Sequence, residues 1–438
     1  MTLHVASTDT VEKPMSGADQ DRQAYLAKLL AQRSPDGPSW LGKIRDRALS
    51  IVQERGLPSN RDEDWRFTDL SGLYKTTFAP AAQASLHLQD IESLILADAP
   101  LRLVFVNGFY APALSAVDHR PVGLSIHTLV DAAPLAQLGQ QQGMTEVFTA
   151  LNTANFEDVV VIQVAKHQII ETPIHLLFLT TGEEPTVTYP RGLIVAEDHS
   201  AVTLIEEYAA VGADTYFTNA VTEVWVGQNA QVHHHRIQRE AKTAFHIGKT
   251  AVSQDRDSCY SLTSLSLGGQ MSRHNPLVIP TGEQTDTRLQ GLTLAVDQQV
   301  ADTHSDLSFT GPHCTAQQLH KCIVDDRARA VFNGKIFVPK LAQQTNASQL
   351  SRNLLLSTKA RVDTKPQLEI IADDVKCAHG ATVSQLDDEE VFYLQSRGLD
   401  RDSACDLLVE GFAAEIIEQL PIAQQRQRLL DAVLSEIR

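Results

Sequence analysis

The residues whose types and spacing could do chemistry are Cys377 and His379, a thiol and an imidazole separated by one residue. On an extended strand, residues two apart project to the same face, roughly 6.5 Å apart along the backbone. Thiolate and imidazole both bind soft metals such as iron. The spacing therefore predicts a shared metal site. The bland alternative is a small buried cysteine and a turn histidine before Gly380, the commoner meaning of an isolated pair of this kind.

A run of three histidines offers a second possible site. If His233, His234 and His235 lie on a strand, the first and third share one face and the second takes the other. Two ligands on one face do not make a closed metal site. We therefore interpret the run as side chains that stack between neighbouring coils of a repeat.

A third group competes with the first pair. His320 and Cys322 have the same one-residue separation in reverse order, and three further candidates lie near them in sequence. Whether these residues meet in space does not follow from the sequence. The additional candidates are His304, His313 and Cys314.

Composition narrows the class of protein. The chain has 438 residues, a net charge of −17 and no apolar run that approaches the roughly 20 residues needed to cross a bilayer. Its acidity disfavours a nucleic-acid surface, which needs clustered Lys and Arg. The five cysteines are odd in number and widely separated, and the N-terminus has no apolar signal core, so we expect reduced thiols and a cytoplasmic protein. The cysteines are Cys259, Cys314, Cys322, Cys377 and Cys405.

Familiar catalytic motifs are missing from the sequence. Gly248-Lys249-Thr250 has the tail of a phosphate-binding loop, but Thr243 stands where that loop needs glycine. Neither G-x-S-x-G nor H-E-x-x-H occurs. We therefore expect a protein that is not an enzyme and binds no nucleotide itself. An enzyme built on a β-helix is the rival reading, but it needs a ladder of clustered carboxylates and basic residues, which the sequence does not contain.

The elements that must position these residues change along the chain. Helical periodicity over 21–57 predicts a helical pair, and we place an N-terminal helical domain at 1–98. Strand patterns then continue from about 101 to 385, with a weak repeat of about 29 residues that begins near 200, 229, 258 and 287 and reappears near 329 and 359. This favours a β-solenoid core over 99–386, with two ordinary β-domains as the alternative.

After the strands, helical patterns return. Asp387 to Glu390 opens a helix whose predicted apolar side contains Val391, Phe392 and Leu394, and further helices are expected over 402–420 and 424–438. We place a C-terminal helical domain at 387–438. Its amphipathic helices either cap the β core or form a docking surface.

With these pieces in place, the chain resembles the SufB/SufD family of iron–sulfur cluster assembly proteins, most closely its SufD branch. The resemblance is strongest over residues 332–338, 342–350, 353–357, 366–382 and 392–398. It includes Cys377-Ala378-His379-Gly380, and Glu63-Asp64-Trp65-Arg66 near the N-terminus matches as well. Ser384 stands where many members of the family have glycine, a small departure.

The resemblance implies a right-handed parallel β-helix between two helical domains, and a scaffold without ATPase activity. It implies pairing with SufB through the β-helix and binding of the ATPase SufC by the C-terminal helices. His379, with Cys377 as its neighbour, would lie at the SufB interface and help hold a transient iron–sulfur cluster shared between the two chains. A homodimer that holds a cluster alone is the alternative for the isolated chain.

Overall fold

The computed structural model describes residues 17–31, 38–129, 136–212 and 215–437. Among these residues the chain forms seven α-helices and 21 strands. The helices are α1 (Gly17–Ala31), α2 (Ser39–Arg55), α3 (Ser71–Lys75), α4 (Val147–Asn155), α5 (Asp388–Ser396), α6 (Arg401–Ile417) and α7 (Ala423–Glu436). The predicted helical pair and the three C-terminal helices are confirmed, although Arg438 lies outside the described residues.

The strands occupy the middle of the chain and alternate, from β8 onward, between two sheets. Their bounds are β1 (Ala79–Pro80), β2 (Leu101–Val106), β3 (Phe109–Tyr110), β4 (Leu124–His127), β5 (Val160–Val164), β6 (Ile169–Thr180), β7 (Thr186–Thr188), β8 (Arg191–Ala196), β9 (Ala201–Ala210), β10 (Tyr216–Val226), β11 (Gln231–Arg239), β12 (Phe245–Gln254), β13 (Cys259–Ser266), β14 (Met271–Pro280), β15 (Asp286–Ala295), β16 (Val300–Ser308), β17 (Thr315–Val324), β18 (Arg329–Val338), β19 (Asn346–Leu355), β20 (Arg361–Ile370) and β21 (Lys376–Ser384).

The two sheets are stacked ladders of parallel strands, which confirms the parallel β-helix. Sheet I has the order β20-β18-β16-β14-β12-β10-β8-β5-β4, and sheet II has the order β21-β19-β17-β15-β13-β11-β9-β6-β2-β3. Each coil of the solenoid gives one strand to each sheet. Only the short pairs β2–β3 and β4–β5 are antiparallel among the paired strands of the described chain.

The predicted repeat is confirmed and also sharpened by the register. The first four predicted starts stack on one another in sheet II, where the paired residues are Val202, Val232, Tyr260 and Thr287. The last two belong to sheet I, where Ala330 pairs with Val362. The longer gap before residue 329 therefore marks a change of sheet and not an insertion.

In seven coils one corner is closed by a residue in the left-handed conformation, two positions before a strand of sheet II (β6, β9, β11, β13, β15, β17 and β19). Asn229, for example, has φ 56° and donates its backbone N–H to the Arg256 carbonyl of the next coil at 2.9 Å. Asn, Asp and His tolerate this conformation better than other side chains with a Cβ atom. The corner residues are His167, His199, Asn229, Asp257, Gln284, His313 and Gln344.

The helices cover the outer faces of the two sheets. α6 and α7 bury Val409, Ala413 and Leu429 against sheet II. On sheet I, Trp65 and Phe148 pack with ring centroids 5.3 Å apart in the cluster that also holds α1, α2 and α4. Trp65 is thus a core residue between these helices and sheet I.

One prediction about α5 is wrong. The sequence pattern predicts Phe392 on the apolar side of this helix, but its side chain is 71% exposed and only Val391 is buried in the helix. Phe392 follows Val391 by one residue, about 100° around the helix, so both cannot face the same neighbour.

The predicted domain boundaries at 98/99 and 386/387 stay predictions. β1 lies before the first of them, and α4 lies inside the interval assigned to the β core.

Among the residues that the structure describes, no helix is long and apolar enough to cross a membrane.

Candidate functional site

Cys377 and His379 lie on β21, the terminal strand of sheet II. Cys377 pairs with Ala347 of β19 and His379 pairs with Gln349. Both β19 residues are buried inside the solenoid, so their in-register neighbours on β21 point toward the same inner face. The predicted same-face geometry follows from this register.

The last coil is open. β20 and β21 end sheets I and II, so each has a neighbouring strand on one side only. Inner-face residues are buried in the other coils, whereas Cys377 is half-buried and His379 is exposed. The interior of the solenoid is therefore accessible to a partner at this end, and the two candidate ligands line that opening.

The environment of Cys377 keeps its thiol in the neutral form. Cys377 packs against the inner apolar cluster of the solenoid. Burial raises the pKa of its thiol, and a backbone hydrogen bond with Ala347 offsets part of that effect. Because the thiolate is the form that binds metal, binding at Cys377 requires loss of a proton.

The free edges of the last coil differ in their hydrogen-bonding groups. Lys376 donates its N–H to Thr345, so by alternation the N–H groups of Cys377, His379 and Ala381 point away from β19. Arg361 donates to Ala328 in the same way, which turns the nitrogen of Pro366 toward the free edge of β20. The β21 edge is therefore an uninterrupted pairing surface, and the β20 edge lacks a donor at its centre.

The competing pair is buried in the middle of the solenoid. The His320 ring stacks on Phe332 with centroids 4.5 Å apart, and its Nε2 lies 3.2 Å from the Thr293 hydroxyl. Burial lowers the pKa of His320 to about 3 and raises the pKa of the Cys322 thiol to about 12. These two residues fill the core, and the structure does not bring them to Cys377 or His379.

The remaining members of that group are dispersed. His304 lies on the outer face of sheet I, where its Nδ1 accepts from Arg273 at 3.0 Å. His313 is one of the left-handed corner residues, with φ 61°. The Cys314 thiol is buried and points at backbone carbonyls, including that of Gly311 at 3.4 Å. The candidates that are close in sequence therefore do not form one site.

The histidine run behaves as the sequence indicates. His233 contacts Ser261 of the next coil at 2.7 Å on the outer face. His234 turns inward, where Nε2 lies 2.6 Å from Glu206 and Nδ1 lies 3.0 Å from the Tyr260 hydroxyl. Across the described parts of the chain, no three or more His, Cys, Asp or Glu side chains are arranged to hold a metal ion. Cys377 and His379 alone thus supply at most two ligands.

A buried charged cluster at Glu206 and Arg236 is not predicted by the sequence patterns. Burial favours the protonated form of Glu206, but His234, Thr222 and Tyr208 outweigh it and lower the pKa of Glu206 to about 2. Arg236 contacts His246 in the same interior. The available signal was the alternation of β9 and β11, which puts Glu206 and Arg236 in phase with the inward-facing Val202, Leu204 and Val232.

The C-terminal helices expose large apolar side chains. Phe392 and Tyr393 project from α5, and Leu407 projects from α6. Leu399, in the connection between these helices, is also exposed, and Arg397 lies 5.2 Å from the Tyr393 ring. Large apolar side chains exposed close together in sequence are a feature that surfaces contacting other proteins often share.

Comparison with known proteins covers almost the whole chain. Residues 178–412 match the family described as "SUF system FeS cluster assembly, SufBD core domain", and residues 27–176 match the family described as "SufBD protein N-terminal region". A SufBD family iron–sulfur cluster assembly protein of Synechocystis is 42% identical over 97% of both chains.

Two further relatives support the same assignment. The iron–sulfur cluster assembly protein SufD of Escherichia coli is 36% identical over 87% of this chain and 90% of its own. The chloroplastic protein ABCI7 of Arabidopsis thaliana is 34% identical over 90% of this chain and 86% of its own.

Proposed function

Because the chain belongs to the SufBD family of iron–sulfur cluster assembly proteins, we propose that it is a non-enzymatic scaffold subunit that assists cluster assembly at an interface with SufB. The observation that carries this proposal is the open last coil, where Cys377 and His379 line an accessible solenoid interior. Two ligands are too few to hold a cluster. We assign the missing ligands to the partner chain.

The free edges favour a strand-bearing partner. β21 offers a row of unpaired N–H and C=O groups, the arrangement that recruits a strand from another chain. Exposed Ile371 and Val383 border the opening and add apolar surface that a partner would bury. A second parallel β-helix, as the family resemblance implies for SufB, would extend both sheets and close the interior over His379.

The ligand chemistry fits a cluster that is passed on. The cluster is cargo, bound only while it is assembled. Imidazole in place of thiolate lowers the negative charge of a cluster and changes its stability. His379 is exposed, so it is ready to bind, whereas Cys377 must first lose a proton from a thiol whose pKa is raised. We therefore assign the ligand role first to His379 and the supporting role to Cys377.

We assign the binding of the ATPase SufC to the apolar surface formed by Phe392, Tyr393, Leu399 and Leu407. These four side chains are exposed and do not belong to the hydrophobic core, whereas the opposite sides of α6 and α7 pack on sheet II.

All five cysteines are free thiols in the structure. Free thiols fit assembly in the reducing cytoplasm, which we propose as the location of the protein.

Substitution of His379 tests the proposal. We expect the complex reconstituted with His379→Ala to hold far less iron and sulfide than the unsubstituted complex. His233→Ala removes an exposed histidine from the outer face of the same sheet and serves as the matched control. Equal cluster content in the His379→Ala complex and the control would remove His379 from the site.

Binding of the ATPase is tested without disturbing the core. Phe392→Ser with Tyr393→Ser should weaken co-purification with SufC, because both rings are exposed and their loss leaves the sheet II contacts intact. Leu341→Ser, at an exposed leucine between β18 and β19, is the control. Unchanged SufC recovery with the double variant would contradict this surface.

A further inference from the structure

Polar side chains stack on one another inside the solenoid in the row of sheet II that ends at His379. Successive residues of one row in sheet II are Leu289, Gln318, Gln349 and His379. Gln349 Nε2 donates to Gln318 Oε1 at 2.7 Å, and Gln318 Nε2 donates to Ser305 Oγ at 2.7 Å. The two amides thus form a ladder that begins on sheet I and ends directly beneath His379.

The opposite sheet is shaped around this ladder. A Cβ atom at Gly334 of β18 would lie 2.2 Å from Gln349 Nε2 and 2.8 Å from Phe332 Cζ. Any side chain there would therefore displace the amide. Gly334 lets Gln349 reach across the interior, and the contact with Gln318 fixes the orientation of its amide plane.

The ladder ends in an unused acceptor. Gln349 is 2% exposed, and its Oε1 atom has no hydrogen-bond partner among the described residues. A buried acceptor without a partner costs about 1–3 kcal/mol. The next side chain in the row, on the same inner face and about 4.8 Å away along the stacking direction, is the imidazole of His379.

We propose that Gln349 is a positioning residue for His379: its Oε1 accepts the N–H of one ring nitrogen and leaves the lone pair of the other nitrogen for the metal. Ligand histidines commonly donate their second nitrogen to a fixed acceptor, which sets the tautomer and the ring orientation. The ligand role of His379 rests on the proposed function. The hydrogen bond itself is not formed in the structure, where Gln349 Oε1 has no partner, and it requires the exposed imidazole of His379 to turn toward that atom.

The tautomer of His379 in the isolated full-length chain tests the hydrogen bond. Nitrogen NMR of a histidine-labelled sample, with His379→Ala to assign the signal, reports which ring nitrogen carries the proton. We expect one tautomer to dominate in the unsubstituted protein and in Gln349→Glu, which keeps an acceptor. Gln349→Met, of similar length but without an acceptor, should give a mixture of tautomers.

Controls separate positioning from general damage. Gln317→Met makes the same change on the outer face of β17 and should leave the signal unchanged. If Gln349→Met does not fold, Gln349→Asn withdraws the amide by one methylene and gives the same comparison. Identical His379 tautomers in the unsubstituted protein and in the folded variant would overturn the proposal.

The reconstituted complex distinguishes this inference from the proposed function. Loss of an outer partner of a metal ligand typically lowers metal affinity 10–100-fold, so we expect Gln349→Met to weaken cluster retention by about that factor and Gln349→Glu to restore most of it. If the tautomer changes in Gln349→Met but His379→Ala assembles clusters normally, the hydrogen bond stands and the ligand role fails. If the tautomer does not change, the hydrogen bond fails whatever the cluster content.

Discussion

His234 and His379 occupy the same row of sheet II, one in the middle of the solenoid and one at its open end. From Leu204 toward the open end, the row comprises Leu204, His234, Leu262, Leu289, Gln318, Gln349 and His379. Both ring nitrogens of His234 are occupied, by Glu206 and Tyr260, because coils lie on both sides of it. His379 has a coil on one side only. The same residue type at the same place in the coil is structural where the stack continues and available where it stops.

Charged side chains show a related contrast, between carboxylates in the buried interior and carboxylates on the exposed outer face. In the closed interior, Glu206 is held ionised by His234 and two hydroxyl groups, and every one of these partners is buried. In the last coil, Glu369 pairs with Lys335 at 3.0 Å on the outer face, where both side chains meet water. Removal of one partner from a buried pair leaves an uncompensated polar group, whereas an exposed pair is replaced by solvent. The two regions should therefore respond very differently to the same substitution.

The largest expected effect is on stability. Glu206→Leu should lower the free energy of unfolding by about 3–5 kcal/mol, because His234, Tyr208 and Thr222 lose their shared acceptor. Glu369→Leu, the matched change in the open coil, should cost no more than about 1 kcal/mol. Urea unfolding measures both. Equal midpoints for the two variants would contradict the distinction between the buried interior and the exposed outer face.

The next effect separates stability from partner binding on one strand. Ala378→Pro removes an N–H that bonds β19 and should destabilise the chain by about 3 kcal/mol. Ala381→Pro removes an N–H that faces the free edge, so the fold should lose less than about 1 kcal/mol while pairing with SufB is blocked. Thermal unfolding and co-purification give the two readouts. A SufB complex that survives Ala381→Pro would exclude the β21 edge as its pairing surface.

Sequence patterns predicted the solenoid because alternation and a spaced repeat are local properties of each coil. They did not predict the corners, which use His, Asn, Asp and Gln in the left-handed conformation where glycine would have given a clear signal. The repeat also passed from one sheet to the other without a mark in the residue pattern. Only the register distinguishes the coils that begin at Val232 from the strand pair of Ala330 and Val362.

The candidate site was predictable in part. The spacing of Cys377 and His379 gave their shared face, but their accessibility depends on where the stacking of coils ends, which no local pattern reports. The sequence pattern also did not predict that two adjacent glutamates are buried. Glu206 and Glu207 are adjacent and both buried, one inside the solenoid with His234 and the other on the outer face with His175 and Arg239. A polar pair in a strand ordinarily predicts at least one exposed residue.

The smallest expected effect is a pH dependence that belongs to the closed interior. Burial lowers the pKa of His320 from 6.5 to about 3, so below pH 6.5 the unfolded chain binds a proton that the folded chain does not. Stability is therefore complete above pH 6.5 and falls as the pH drops toward 3. Between pH 7.5 and pH 5 this one group should remove about 2 kcal/mol.

Two variants isolate that contribution. His320→Phe keeps a ring against Phe332 but cannot be protonated, so its stability should fall about 2 kcal/mol less than that of the unsubstituted protein over the same pH interval. Thr293→Val removes the hydrogen bond to His320 without changing the imidazole, so it should lower stability at both pH values and keep the slope. Urea unfolding at pH 7.5 and pH 5 gives the slopes. If His320→Phe loses as much stability between pH 7.5 and pH 5 as the unsubstituted protein does, protonation of His320 does not cause the loss. The acid sensitivity then arises from groups outside the closed interior.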